Sequence, residues 1–410
     1  MERSVRLEAI PGDRYSDYRY EVIFKAYKWD PQVEDHNTIS GHVVLLERET
    51  ARCLERWAER LAEETARMEE ALLNRLPLAE TLGLPRKILR MLTRSLNYDR
   101  SRHVRLMRFD FHPTTTGWAI SEINSDVPGG FAEASMMPRI AAPYFDDYEP
   151  GVDMADRLLN AFRPRIVNDG AVALIHATSY ADDRQVMQFI GDYFEAHGMP
   201  TVLAAPAHLR WRERKAFVNA GEGEKAIGGV VRFFPLEWLV NLPRNVRWQE
   251  GFGTDETPSC NHPVAILAQS KRLPLIWDRL GVDIPIWRQL LPETREPGQE
   301  SGDMAEWVCK PALGRVGEGI SIKEALTPKE LAQIEKTVRR HPRDWVVQRR
   351  FHSLPLKASD GQFRHLCIGV FTVDGKCAGF YGRLSPYPRI DARAKDIPVL
   401  VAKEGKNIEG

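Results

Sequence analysis

Apolar and charged residues alternate between Val104 and Phe131, in VRLMRFDFHPTTTGWAISEINSDVPGGF. Alternation with a period of two predicts strands. The halves RLMRFDF and GWAISEIN read as short strands joined by the turn-rich loop HPTTT. Side chains two apart share a strand face, so Arg108 goes with Asp110 and Glu122 with Asn124. From about Ser40 to Asn97 the period is helical instead. HVVLLERETARCLERWAERLAEETARMEEALLNRL contains neither Pro nor Gly, and Leu45, Ala51, Leu54, Trp57, Leu61 and Ala66 recur at three-to-four spacing. That pattern predicts an amphipathic helix covering a sheet. Leu84 and Pro85 open a second helix, PRKILRMLTRSL. Residues 1–40 show no clear period and read as a wrap around the body.

Beyond the hairpin, residues 132–165 read as helical and break at RPRIVNDG. VALIH, the amphipathic stretch ADDRQVMQFIGDYFEAHG and TVLAA form a strand–helix–strand unit with parallel strands expected. Asp182 or Asp183 stands near the start of its helix and Gly198 at the end. AILAQSKRLPLIWDRL reads as another helix, and REPGQESGDMAE as a linker. The last unit opens with a strand ending at Lys310 and runs through ALGRVGEGISI, read as a glycine turn between two strands. A helix over 327–341 follows, with Thr327 as N-cap, then the strand DWVVQRRF and a hairpin turning at Asp374-Gly375. This order is not a Rossmann unit, where the glycine turn opens a helix, and it lacks the P-loop pattern. A glycine turn between strands can fold as a flap whose N–H groups meet phosphate oxygens, with Lys310 as a nearby point charge. An ordinary glycine-rich hairpin is the alternative.

Composition narrows the class. Hydrophobic residues make up 43% of the 410, and Lys+Arg and Asp+Glu both number 57. Zero net charge argues against a general nucleic-acid or acidic-membrane binder. Five scattered cysteines form no C-x-x-C, so neither a disulfide frame nor a cysteine zinc site is indicated. The absence of a long apolar run or an h-region makes the cytoplasm the expected location. Two carboxylates, an amide oxygen and a guanidinium on one hairpin suit a hard divalent cation and a phosphate. A surface hairpin with solvated charges is the plain alternative. His176, Glu237 and Asp126 are further candidates, as base, amine contact and support for the cation ligands, each with an equally simple structural reading.

These segments resemble the ATP-grasp ligases, most closely the synthetase domain of glutathionylspermidine synthase, over roughly residues 100–385. The resemblance rests on R-F-D followed by E-I-N-S-D, with Glu122 twelve residues after Asp110 and Asn124 two further on. KPALGRVGEG, VVQRRFHSLP, FFPLEW and the hairpin ending at Arg383 follow in the same order. It implies an α/β (α+β) fold: a circularly permuted ATP-grasp with a Rossmann-like pre-ATP-grasp unit and an N-terminal helical segment. The corresponding divisions are 1–99 for the N-terminal wrap and helices, 100–165 for the metal-ligand hairpin, 166–295 for the Rossmann-like substrate unit and 296–410 for the nucleotide unit. The resemblance gives Asp110, Glu122 and Asn124 to one or two Mg2+ ions. It gives Lys310, Gln348 and the flap residues Gly314, Arg315, Gly317 and Gly319 to ATP, and Arg108 and Arg383 to the transferred phosphoryl group. Ala265 stands near where a second nucleotide lysine is expected, and Lys271 is the nearest one.

The implied activity is ATP- and Mg2+-dependent, ADP-forming ligation of a small-molecule or peptide carboxylate to an amine, through an acyl phosphate. The alternatives are a small-molecule phosphotransferase on the same site, or a non-catalytic nucleotide-binding protein derived from the ligases. No nucleic acid or membrane partner is expected, and a homo-oligomer is compatible with the sequence.

Overall fold

The alternating hairpin is built by Leu106–Thr114 and Gly117–Asn124, paired antiparallel with Arg108 opposite Asn124 and Asp110 opposite Glu122. The strands run further than expected, through His112 to Thr114, so the turn is only Thr115-Thr116. The computed structural model describes residues 4–95, 98–219, 221, 223–253, 256–314 and 319–405. Phe363–Val373 and Lys376–Ser385 extend the hairpin into an antiparallel sheet, with Lys395–Ile397 at its far edge. The period of two gives this sheet two unlike faces. Met107, Phe109, Phe111, Ile120, Ile368 and Val370 join one hydrophobic core with Leu54, Ala58, Leu61 and Met68 of the helix Arg48–Leu73. The opposite face carries Arg108, Asp110, Glu122 and Asn124.

The long helix starts later than its sequence period suggests. His42–Leu46 is a strand, paired antiparallel with Val5–Ala9 and parallel with Val399–Ala402. Val44 and Leu46 enter the main core while Val43 and Leu45 enter another. A strand buried on both faces shows no alternation, and its apolar run merged with the helix behind it. Residues 1–40 likewise do more than wrap. Val5–Ala9 is an edge strand, and Tyr18 and Val22 of the helix Tyr15–Lys25 pack with Ile10, Val43 and Leu400 in a core of their own. The helical reading of 132–165 is also corrected: Phe131–Ala141 and Met154–Phe162 are separate helices, with the strand Tyr148–Pro150 between them.

Val172–His176, the helix Ala181–Ala196 and Thr201–Ala204 form the expected parallel unit, and Gly229–Phe233 and Ser259–Cys260 extend its sheet, also in parallel. The helix expected over AILAQSKRLPLIWDRL is broken. Only Ile266–Gln269 and Trp277–Leu280 are α-helical, because Ser270 turns extended and Pro274 lacks the N–H a helix needs. In the third sheet Trp345–Arg349 lies between Thr294–Arg295 and Trp307–Pro311. The helix Pro328–Arg340 carries a capping box between Thr327 and Glu330. The second strand of the glycine turn does not form: residues 319–322 are held by Ser321, whose N–H donates to the Cys309 carbonyl and whose Oγ accepts from the Cys309 N–H. Arg315 and Gly317 lie outside the described residues. Among the described residues no helix is long and apolar enough to cross a membrane.

Asn261 ties the hairpin to the parallel sheet. Its Oδ1 accepts from the Leu106 N–H at 2.8 Å, and its Nδ2 donates to the carbonyls of Leu106, Ser125 and Asp126 at 2.8, 3.1 and 3.0 Å. Asn261→Leu keeps the volume but strands a buried backbone N–H, which costs about 2–4 kcal/mol with the lost acceptor bonds. Urea unfolding of this variant is expected to show a loss of that size.

Candidate active site

The charged sheet face forms the floor of a cleft of about 360 Å³. At its centre Arg108 grips Asp110 as a fork, with Nε to Oδ1 at 2.7 Å and Nη2 to Oδ2 at 2.9 Å. The third arm of the guanidinium donates to the Gly129 carbonyl at 2.6 Å. Asn124 Nδ2 donates to the same carboxylate at 3.1 Å. Arg108 needs the absence of a side chain at Gly369 on the neighbouring strand, where a Cβ would come within 2.6 Å of its Cδ. The guanidinium also stacks 5.0 Å from the Tyr381 ring centre. Gly130, with φ of +97°, also lies against that ring, where an added Cβ would come within 2.9 Å of it.

One end of the cleft is closed by the third sheet. Lys310 is buried, with Nζ donating to Gln348 Oε1 at 2.6 Å and to the Ser121 carbonyl at 3.1 Å. Gln348 is oriented in turn by donating to Thr294 Oγ1 at 3.0 Å. Burial pushes the Lys310 ammonium down to about 8, with Glu122 opposing the shift and Lys271 adding to it. Behind Glu122, Lys271 pairs with its carboxylate at 2.8 Å and donates to the Gly314 carbonyl at 2.8 Å. The break at Ser270 makes this reach available, since the Lys271 N–H then bonds to the Ala312 carbonyl of the third sheet. Burial works against ionised Glu122, but Lys271, Lys310 and Arg108 outweigh it and hold the carboxyl below its ordinary value. His112 is kept neutral: burial, and then Lys310, bring it to about 3.

At the other end stands Arg383, whose Nη2 donates to the carbonyls of Asp391 and Ala394 at 2.7 and 3.0 Å. Its Nε lies 3.6 Å from Asp396. Asp396 accepts from the Tyr381 hydroxyl at 2.8 Å and pairs with Lys28 at 2.7 Å, and Lys28 also reaches Glu133 at 2.8 Å. Burial opposes the Asp396 charge, but Lys28 and Arg383 prevail and its pKa falls below the usual range.

Of the residues singled out in the sequence, Arg108, Asp110, Glu122, Asn124, Lys310, Gln348 and Arg383 line this one cleft. Lys271 stands just behind Glu122. Gly314 and Gly319 line a different, larger groove of about 1470 Å³ beside Arg272, Arg343 and Trp345. The charged chemistry sits in the smaller cleft. Asp126 is buried and bound by Arg232 and the Leu236 N–H, docking the hairpin on the parallel sheet. His176 is a strand-end core residue, its Nδ1 3.1 Å from the Leu174 carbonyl and its pKa lowered by burial. Glu237 is buried in the short helix Leu236–Leu239. Sequence reasoning missed Tyr381, Gly369, Lys28 and Asp396. Tyr381 stands two before Arg383, on the same strand face, which is a signal that could have found it. Lys28 carries none, because its partners are more than 100 residues away.

Among the described residues no group of three His, Cys, Asp or Glu is gathered as a metal site. The donor set of Asp110, Glu122 and Asn124 supplies two carboxylates and one amide. That is enough for Mg2+, which takes few protein ligands and completes its shell with phosphate oxygens and water.

The fold and the cleft define a mixed α/β, ATP-grasp-like ligase architecture. The chain belongs to the Glutathionylspermidine synthase preATP-grasp family, whose sequence model matches residues 15–402, a wider span than the motifs alone marked out. A solved structure of a glutathione synthetase-like effector from Globodera pallida superposes with a TM-score of 0.63 at 10% identity, covering 95% of this chain and 96% of that one. At that identity the likeness is one of fold. A putative gamma-glutamylcysteine synthetase from Methylobacillus flagellatus KT matches more loosely, with a TM-score of 0.44 at 12% identity over 80% of this chain and 86% of that one. A comparison with curated proteins finds no match.

Lys28→Met removes the ammonium that Asp396 and Glu133 share, leaving both buried and Asp396 with only Arg383, 3.6 Å away. A loss of about 3–5 kcal/mol is expected from denaturant unfolding at neutral pH. The depressed Asp396 pKa also fixes a sign. Its stabilisation is fully present above the ordinary value of 3.8 and is lost as pH falls below it. Asp396→Asn should therefore flatten the fall in unfolding midpoint below about pH 4 relative to wild type.

Proposed function

We propose that the protein is an ATP- and Mg2+-dependent, ADP-forming carboxylate–amine ligase that works through an acyl phosphate. The observation that carries this reading is the order of groups along the cleft. Lys310 and Gln348 stand by the edge strand of the sheet, Asp110, Glu122 and Asn124 lie on its last two strands, and Arg383 is two strands from Asp110, with the Arg108 guanidinium reaching from Asp110 to Tyr381 of the Arg383 strand. Family membership supports the same chemistry. Along the chain the hairpin with Asp110, Glu122 and Asn124 precedes Lys310, the order that a permuted ATP-grasp would carry.

A carboxylate is a poor acyl donor because its oxide is a poor leaving group. In the proposed reaction a substrate carboxylate oxygen attacks the γ-phosphorus of ATP, the bond to the β-phosphate oxygen breaks, and ADP leaves. The amine then attacks the acyl carbon, loses a proton, and expels inorganic phosphate. Phosphoryl transfer of this kind depends mainly on positioning and charge neutralisation. Lys310 holds the ATP phosphates, and Gln348 borders the base. Asp110, Glu122 and Asn124 would hold Mg2+, which supplies charge neutralisation on the phosphates when bound. Arg108 and Arg383 stabilise the negative charge on the acyl phosphate. Asp183, Phe233 and Trp238 of the parallel-sheet unit line the same cleft and form the wall along which the amine enters.

The test is Mg2+-dependent ADP release over a panel of acids and amines. Acid plus amine should be required for steady turnover. ADP release with acid alone and a stable phosphorylated product would make the protein a phosphotransferase. Asp110→Ala is expected to lower turnover by at least about 100-fold, as removal of a charge-positioning group does. Lys310→Ala should weaken ATP binding by roughly 10–100-fold, the worth of one charged hydrogen-bond donor, with the melting temperature little changed. With ATP alone, wild-type affinity should hold below the Lys310 value of about 8 and fall as pH rises through it, because the ammonium then loses its charge. Lys310→Arg should remove that dependence, since a guanidinium stays protonated.

A further inference from the structure

The joint that docks the hairpin on the parallel sheet contains two buried histidines that take no part in the cleft. His103 and His262 are 1% and 3% exposed, and their ring centres lie 4.6 Å apart. The Tyr98 ring stacks on both, at 5.4 and 4.5 Å. Each imidazole accepts a backbone hydrogen bond at Nδ1. His103 takes the Ser259 N–H at 3.1 Å, and His262 takes the Val264 N–H at 3.2 Å as the N-cap of the turn Pro263–Ala265. A ring nitrogen accepts only when it carries no proton, so both bonds require neutral imidazoles.

These bonds belong to an interlock between the two units. The Val104 N–H donates to the Ser259 carbonyl at 3.1 Å, and Asn261 holds both the N–H and the carbonyl of Leu106. Ser259–Cys260 is the edge strand of the parallel sheet, and Leu106 opens the strand that carries Arg108 and Asp110. A proton on either Nδ1 turns an acceptor into a donor aimed at an N–H. The acids around the joint are already committed: Asp126 to Arg232, Glu69 to Arg105 and Glu250 to Arg247. Asp374 takes Arg165 and the Arg105 N–H. Asp99 takes Ser101 and Arg102, and its field reaches His103 from the surface. Arg100 adds positive charge beside Tyr98, and burial raises both the Tyr98 hydroxyl and the Cys260 thiol, the latter to about 12. Burial, then His103 and Arg232, hold His262 well below its ordinary value of 6.5.

We propose that His103 and His262 form a proton-operated latch, which clamps residues 259–264 to the entry of the hairpin at neutral pH and releases them in mild acid while the rest of the fold persists. The released form binds protons at the ordinary histidine value. The latch is therefore fully closed above 6.5 and weakens as pH falls below it, by up to about tenfold in the opening equilibrium per pH unit for each histidine. Release frees the strand of Arg108 and Asp110 at its start, which makes the geometry of the cleft acid-sensitive. The latch stands whether or not the protein is a ligase.

The test is backbone hydrogen exchange of wild type, His103→Asn, His262→Asn and the double variant between about pH 7.5 and pH 5.5, corrected for the intrinsic pH dependence of exchange. Asn keeps an acceptor for the same N–H and is a favoured N-cap, but takes up no proton in this range. In wild type, opening of the amides of Val104 to Leu106 and of Ser259 to Val264 should rise by about tenfold or more from pH 7.0 to pH 5.5. The helix Arg48–Leu73 should stay within about threefold, and protection should return on going back to neutral pH. Each single variant should lose part of the rise and the double variant all of it. A joint that stays closed in wild type, a joint and long helix that open together, or a rise that persists in the double variant overturns the latch. Exchange at the imidazole Cε1–H follows protonation without any substitution. In wild type it should titrate for both histidines over the interval in which the joint opens, and no titration there overturns the latch even if neither variant folds.

Discussion

A buried carboxylate must be matched by a cation, and in this protein the match usually comes from a distant part of the chain. Glu69 of the long helix takes Arg105 at the entry to the hairpin, Asp126 at its exit takes Arg232 of the parallel sheet, Glu122 takes Lys271, and Asp396 takes Lys28. Each pair is inaccessible enough that removing one partner would leave an uncompensated charge in a poorly polarisable interior. The pairs therefore discriminate against other packings of the same sheets. Apolar burial could hold these layers together in several registers. Charge matching selects the one in which the polar face of the hairpin sheet lines a cleft.

That selection has consequences for chemistry. The carboxylates at the centre of the cleft are held in place before any ligand arrives, Asp110 by a two-point fork and Glu122 by a single ammonium. Charged groups fixed in this way need little reorganisation to meet a bound charge. The chain as a whole has no net charge, yet the cleft collects guanidiniums from the end of a strand and from the loop beyond it. This concentration of cations is a local property created by folding. The balance of charge over the whole chain carries no information about this groove.

Fold likeness at 10% identity shows how much of the architecture survives wholesale change of side chains. The loop between Ser385 and Lys395 carries Arg389 and Asp391 outside the ladder of the sheet, where a residue can change without disturbing the strands.

The sequence by itself determined the local elements. Period-two alternation set the hairpin and the shared faces of Arg108 with Asp110 and of Glu122 with Asn124; three-to-four spacing marked the stretch that folds as the helix Arg48–Leu73; and capping and turn residues set the ends of Pro328–Arg340 and the turn at Asp374-Gly375. Each of these signals comes from residues a few positions apart, where covalent geometry dictates which side chains share a face. It also determined the twelve-then-two spacing that led to the family. Only the tertiary structure decided that His42–Leu46 is a strand, that the segment around Lys271 breaks out of helix, and that Lys28 and Asp396 back the far end of the cleft. Burial on both faces removes the alternation that marks a strand, and an ion pair between residues hundreds of positions apart leaves no trace in the spacing of either one. The hairpin could be read from its own residues, but what surrounds it could not.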